Sequence, residues 1–331
     1  MSAQTTYDIA VIGGGPTGLF GLFYAGLRGM SSILFESLPE LGGQLTTLYP
    51  EKLVFDMPGF PQILARDLAA EFVKQCARFN PVIRTSEQVQ TVAKRDERDF
   101  ELTTPKGAFR ARSVLIAGGV GSFSPKKLTI NLDHFEGRGL YYFVKDTRDF
   151  AGKRILIVGG GDSALDWAMH LEHVGAEVSL IHRRGEFRGH EDSAKKVLAS
   201  TVNVRLFHEV KEVRGDGQVE RVVVYDNRTK EETALSVDCL LLNLGFAANL
   251  GPIKDWGIAL NGKAIRVNGR FETSVPGIFA AGDIIEYADR ENINLIATGV
   301  ADAAVAVNYA KAYIDPGAKV IPGHSSSRTD L

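Results

Sequence analysis

The chain has only two cysteines, Cys76 and Cys239, among 331 residues. They lie too far apart in sequence for a CxxC dithiol, a cysteine-built zinc site or a disulfide framework, and such sparse usage is that of a reducing compartment. No metal centre is expected. Nowhere does the sequence approach the roughly 18 consecutive apolar residues of a membrane helix, so no membrane partner is expected. The opening MSAQTTYDIA has no basic segment of the kind that starts a secretory signal. A cytoplasmic location is the expectation. An excess of one charge is also lacking, since 38 Lys and Arg against 40 Asp and Glu leave a formal net charge of −2. A nucleic-acid partner is therefore not expected, and any charged partner must be met by a local patch.

What the chain has in excess is glycine, with 35 residues, where an average usage of roughly 7% would give about 23. The excess is clustered. At roughly 150 residues per domain the length suits two domains, and one device occurs twice. In the first copy a β-branched run over residues 7–12 leads into Gly13-Gly14-Gly15-Pro16-Thr17-Gly18, a GxGxxG. Apolar residues at Leu19, Leu22, Phe23 and Leu27 then follow helical spacing, Gly29 ends the helix, and a second strand over 31–35 finishes at Glu36. In the second copy a strand over 154–158 leads into Gly159-Gly160-Gly161-Asp162-Ser163-Ala164, a GxGxxA. Gly175 closes its helix, and a strand over 177–181 leads to His182-Arg183-Arg184. The same distance separates Gly18 from Glu36 and Ala164 from His182.

Such loops bind dinucleotides for physical reasons. The first glycine makes the tight turn, the second lets backbone approach a pyrophosphate, and the third position must be small so that the helix packs on the strand. Phosphates then rest on the helix N-terminus. A single GxGxxG can be a mere strand-to-helix connection, whereas two complete units point to two nucleotide sites. The copies differ where the nucleotide is chosen. Glu36 can accept from the hydroxyls of an adenosine ribose and would repel a 2′-phosphate, which suits FAD or NAD. His182, Arg183 and Arg184, with Arg188 beyond, would present cations to a 2′-phosphate, which suits NADPH. The plain alternative is an exposed basic turn.

These features resemble a known family over nearly the whole chain. The first glycine loop with Glu36, Gly42-Gly43-Gln44, the second loop ending in HRR, and TSVPGIFAAGD at 273–283 are marks of flavin reductases with two dinucleotide folds. Thioredoxin reductase is a familiar relative, but its CxxC is missing from GLYYFVKDTRDFAGKR at 139–154. The cysteine pair of the glutathione reductase type is likewise missing from 38–58. TTLYPEKLVFDMPGFP at 46–61, GGVGSFSPKK at 118–127, LIATGVADAAVAVNYAKAYIDP at 295–316 and HSSS at 324–327 resemble the thioredoxin reductase-like ferredoxin-NADP reductases.

That resemblance implies an α/β fold of two doubly wound, Rossmann-like domains. The nicotinamide domain (119–244, NADPH) would be inserted in a FAD domain (1–118 and 245–331) whose C-terminal tail lies over the flavin. It implies that FAD is held by Gly13, Gly15, Thr17, Gly18, Glu36, Gln44, Tyr49, Val89, Phe123, Asp283, Thr298 and Ser326. NADPH would be held by Gly159, Gly161, Asp162, Ser163, Ala164, His182, Arg183, Arg184 and Arg188. Tyr49 would stack on one flavin face, with His324 and Ser325 covering the other in a homodimer. Each residue also has a plain reading: Tyr49 as a half-buried loop aromatic, Asp283 as a helix cap, His324 in a frayed polar tail. The helix beginning at Ile296 could present its N-terminus to the flavin or simply pack. Electrons would pass from NADPH through FAD to ferredoxin or flavodoxin without a dithiol, met by a basic face for which Lys52, Lys126 and Lys127 are candidates. The alternatives are an NADPH-dependent flavin disulfide reductase or diaphorase with another acceptor, and a non-catalytic NADPH-sensing flavoprotein.

Overall fold

The computed structural model describes residues 5–321 and 323–327, the side chains of 122–124, 246–248 and 327 excepted. The chain divides into two compact units, Met1–Phe123 with Ala248–Leu331, and Ser124–Ala247. It passes from one to the other through Ser122–Pro125 and back through Phe246–Asn249, and these two strands pair as a ribbon.

In the first unit Ile9–Ile12, Ser32–Phe35 and Val114–Ile116 are apolar runs without polar alternation. A strand of that kind is buried on both faces, as parallel sheets require. They lie in a five-stranded parallel sheet ordered Ile278–Ala280, Val114–Ile116, Ile9–Ile12, Ser32–Phe35, Val82–Arg84. Ala10 stands opposite Val114 on one side and Ile33 on the other. From the central strand the chain walks outward to Val82–Arg84, then returns to the opposite side. Ligands of doubly wound sheets sit outside the carboxyl ends at this reversal, here beyond Ile12 and Ile116.

Two helices cover one another and the sheet. A Cβ at Gly21, on the Pro16–Leu27 helix, would fall 2.6 Å from Leu115 Cδ2 and 3.6 Å from Ala303 Cβ, so glycine lets the helix lie flush. The Ile296–Ile314 helix buries Gly299, Asp302, Ala303, Ala306, Val307, Ala310 and Ile314, a stripe at helical spacing. A strand expected over 7–12 is instead split. Thr6–Tyr7 pairs with Gly107–Ala111, while Asp8 turns aside because its carboxylate accepts from Ser31 N and Oγ, at 2.9 and 3.0 Å.

The second unit repeats the plan. Its parallel sheet is ordered Leu140–Tyr141, Cys239–Asn243, Arg154–Gly159, Glu177–His182, Asn203–Leu206. The Arg154–Gly159 strand feeds two cores in alternation. Ile155 and Ile157 pack with Leu165, Trp167 and Val178 on one face, whereas Leu156 and Val158 pack with Val222 and Val224 on the other. The second face is covered by the antiparallel strands His208–Arg214, Arg221–Asp226 and Glu232–Ser236.

Candidate functional site

In the first unit the glycine loop closes against the neighbouring strand end. Gly13 has φ +109°, and a Cβ there would drive into the Ala117 carbonyl, while a Cβ at Gly18 would drive into the Gly13 carbonyl. Gly15 is different: a Cβ would meet nothing nearer than Gly43 Cα at 3.9 Å, so its backbone faces open space at the helix N-terminus. That is the room a pyrophosphate needs.

Glu36 is 6% exposed. Its Oε2 accepts from Gly14 N at 2.7 Å, and its Oε1 accepts from Leu38 N at 2.8 Å and Ser37 Oγ at 3.1 Å. A carboxylate offers roughly four lone-pair positions, and the Ser37 hydroxyl can rotate away, which leaves acceptors for two ribose hydroxyls. The backbone is fixed as well, because Glu87 N donates to Glu36 O at 2.9 Å. Glu87 is a neighbour of Glu36 that the sequence did not single out. Its carboxyl is buried, with Thr104 Oγ1 donating at 2.7 Å and the Lys106 and Arg84 cations 3.7 and 3.9 Å away. Val89, two residues on, is buried in the core of this unit.

The sheet brings together residues far apart in the chain. Gln44 Nε2 donates to Asp283 Oδ2 at 3.0 Å across a sequence separation of 239. Burial pushes the Asp283 carboxyl up, and the Gln44 hydrogen bond pulls it back. Burial pushes the Tyr49 phenol to about 12, with Asp283 and Asp56 adding to the rise. Tyr49 also packs against the core, so it is both a packing aromatic and an electrical neighbour of Asp283. Asp283 lies within a short 3-10 turn and caps no helix through its side chain. Thr17 Oγ1 lies where a Cβ on Gly282 would come within 2.7 Å, and it likewise blocks a Cβ on Gly299. Three chain segments therefore converge on the first glycine loop.

In the second unit a Cβ at Gly159 would meet Asn243 O at 2.6 Å and Ala164 Cβ at 2.8 Å, and Ala164 is fully buried. Gly161 again faces open space, its nearest neighbour being Arg188 Nη2 at 3.7 Å. Arg188 thus stands over the glycine loop itself, held by its own N–H on Gly160 O at 2.6 Å. Asp162 anchors the same segment, accepting from His190 N at 2.7 Å, and Ser163 follows it in the first turn of the Asp162–His173 helix. Arg183 and Arg184 are exposed, and among the described residues no carboxylate pairs with them or with Arg188. His182 departs from expectation. Its ring lies under Gly160, and burial, with Arg184 and Arg183 adding to it, holds the imidazole below its ordinary value. Burial thus works against a charge on this ring, unlike the two neighbouring guanidiniums.

Other expectations meet the structure less directly. The Thr298 hydroxyl lies 2.7 Å from Ile293 O and 2.9 Å from Leu295 O, so it closes the start of its own helix rather than offering a side-chain ligand. The backbone N–H groups of Ile296, Ala297 and Thr298 precede the first intrahelical bond, Gly299 N to Leu295 O, and remain the anion-attracting end. The Phe123 side chain lies outside the described residues. His324, Ser325 and Ser326 are exposed, and no described hydrogen bond ties them to Gln44 or Asp283. Lys127 lies 2.7 Å from both Asp133 and Glu136, two exposed ion pairs. The two cysteines are buried, and burial pushes the Cys76 thiol to about 11 and raises that of Cys239.

Residues 7–308 match the family model described as pyridine nucleotide-disulphide oxidoreductase. The chain belongs to that family. It is 48% identical to the ferredoxin--NADP reductase of Sulfurisphaera tokodaii over 98% of each chain. It is also 48% identical to ferredoxin--NADP reductase 1 of Sulfolobus acidocaldarius, over 96% of this chain and 98% of that one. Among solved structures, thioredoxin reductase of Lactococcus lactis superposes with a TM-score of 0.78 at 25% identity, covering 93% of this chain and 99% of that one. This family member has no cysteine pair to serve as a disulphide relay.

Proposed function

We propose that the chain is a ferredoxin-NADP reductase with FAD as its bound flavin. The observation that carries the reading is the opposite charge at the nucleotide-selecting position of its two glycine loops, Glu36 in one and Arg183 with Arg184 in the other. A buried carboxylate suits the free ribose of FAD, and exposed guanidiniums with no carboxylate partner among the described residues suit the 2′-phosphate of NADPH. The names of the relatives support the same reaction. On this reading Met1–Phe123 with Ala248–Leu331 is the FAD domain and Ser124–Ala247 the NADPH domain.

Held by the Gly13–Gly18 loop, Glu36 and the Gln44–Asp283 pair, FAD would supply hydride acceptance from NADPH and one-electron return to the carrier. The chain's own work is placement and electrostatics. Gly15 and Gly161 leave room for pyrophosphates before their helices, and Glu36 holds the adenosine ribose. The Ile296–Ile314 helix offers free N–H groups that favour a developing negative charge by about 0.3–2 kcal/mol. Tyr49 stays protonated throughout the physiological range and presents a neutral ring. With both thiols buried, no relay intervenes, and the electrons go directly to ferredoxin or flavodoxin. The protein acts as a cytoplasmic homodimer, with His324, Ser325 and Ser326 covering a flavin face in the assembly. Steady-state cytochrome c reduction under NADPH tests the reaction: turnover should depend strictly on added ferredoxin, and ferredoxin-independent turnover would make the enzyme a diaphorase.

A further inference from the structure

Asp302 stands on the buried face of an alanine-rich helix and is 5% exposed. A carboxylate taken out of water is costly unless hydrogen bonds replace its hydration; burial pushes the Asp302 carboxyl up, and hydrogen bonds from Tyr287 and Gly282 offset part of that cost. Asp302 Oδ1 accepts from Tyr287 Oη at 2.7 Å, and Oδ2 lies 3.4 Å from Gly282 N. The carbonyl of the same Gly282 accepts from Asn292 Nδ2 at 3.1 Å, and that amide nitrogen lies equally close to Ile285 O. Gly282 itself has φ +79° and is pressed against Thr17. Both polar groups of one left-handed glycine are thus gripped by side chains from outside its turn, one residue before Asp283. Tyr287 is fixed in turn, with the Arg290 guanidinium 3.9 Å above its ring and Phe271 edge-on at 5.9 Å.

We propose that Asp302 is a positioning residue for the bound flavin. With Tyr287 and Asn292 it clamps the Gly282 turn so that Asp283 holds one orientation toward Gln44 and the cofactor. The inference rests on the FAD reading and adds to it a residue that touches no cofactor atom. A free turn would let the Asp283 carboxyl swing toward water and lose the 3.0 Å bond from Gln44. The arrangement also ties the turn to the helix whose N-terminus serves the same site, since Asp302 lies two turns inside it.

The test compares Asp302→Ala, Asp302→Asn and Tyr287→Phe with the parent protein. FAD affinity is read by reconstituting flavin-stripped protein, and the midpoint potential is read on the reconstituted forms. Loss of hydrogen bonds to a buried charged group predicts about 10-fold weaker FAD binding for Asp302→Ala, with Tyr287→Phe and Asp302→Asn between it and the parent. The midpoint potential should shift in the same order. Asp283→Asn supplies the decisive background, because groups acting as one unit are not additive. Adding Asp302→Ala to Asp283→Asn should cost little further affinity. Full additivity would overturn the clamp, as would a variant that melts earlier yet keeps parental affinity and potential. If Asp302→Ala does not fold, Asp302→Asn carries the same comparison. A parent protein that takes up no FAD would instead overturn the flavin reading, a result visible before any variant is made.

Discussion

The two glycine loops are built alike and finished differently. In the first, the selecting group is a carboxylate at 6% exposure, fixed by three donors and by a backbone bond from Glu87. In the second, the selecting groups are exposed arginines with no carboxylate partner among the described residues. A buried, pre-oriented acceptor suits a molecule that stays, because its desolvation is met once. Exposed cations suit one that arrives and leaves in each turnover, because attraction at the surface speeds encounter without demanding rearrangement. On the proposed reading, burial separates a resident cofactor from a substrate within one architectural plan.

The strongest way to break this contrast is to damage each loop in turn. Gly13→Val forces a side chain into the Ala117 carbonyl at a φ of +109° and should give colourless protein, read by the visible spectrum. Gly159→Val presses on Asn243 O and Ala164; it should leave the protein yellow but unable to be reduced by NADPH. Equal loss of colour in both would show that the loops are not separate sites.

Next in size is nucleotide choice. Arg183→Ala with Arg184→Ala should raise the Michaelis constant for NADPH by about 10² to 10³, the equivalent of two charge-assisted hydrogen bonds, while NADH is unaffected. A parallel rise for NADH would sink the 2′-phosphate assignment.

Smaller effects follow from the titrating groups. Because Tyr49 is pushed to about 12, Tyr49→Phe should remove a phenol that ionises only in strong alkali and should leave the pH profile between pH 6 and 9 unaltered, as absorbance titration would show. His182, whose folded value lies below the ordinary 6.5, stays neutral in the folded state while the unfolded chain gains a proton. Its share of stability is full above that ordinary value and is lost as pH falls through the folded one. His182→Gln should therefore melt with a flatter pH dependence below about pH 6.5 than the parent does; identical slopes would place the ring in water.

Much of this was legible in the sequence where the physics is local. The glycine spacing, the helix ends at Gly29 and Gly175 and the polar residue closing each second strand follow from turn sterics within a few dozen residues. The start of the last helix at Ile296 was legible as well. The Gln44–Asp283 pairing was not, since only the closed sheet joins positions separated by 239 residues. The burial that lowers the His182 imidazole and the Asp133 and Glu136 carboxylates beside Lys127 likewise come from packing that the local sequence does not show. Asp302 did leave a signal, an acid on the apolar stripe that contains Gly299, Ala303 and Ala306. Nothing in the helix itself names Tyr287 and Gly282 as its partners.

On the proposed reading, electrons pass from NADPH through the bound flavin to a one-electron carrier without any thiol. The direct measurement uses a cysteine-free chain, Cys76→Ala with Cys239→Ala, mixed anaerobically with NADPH and then with ferredoxin while flavin absorbance is followed. NADPH should bleach this variant and ferredoxin should restore its colour at the parental rates; a cysteine-free protein that binds flavin normally yet fails to pass electrons to ferredoxin, where the parent succeeds, would show that a thiol carries them.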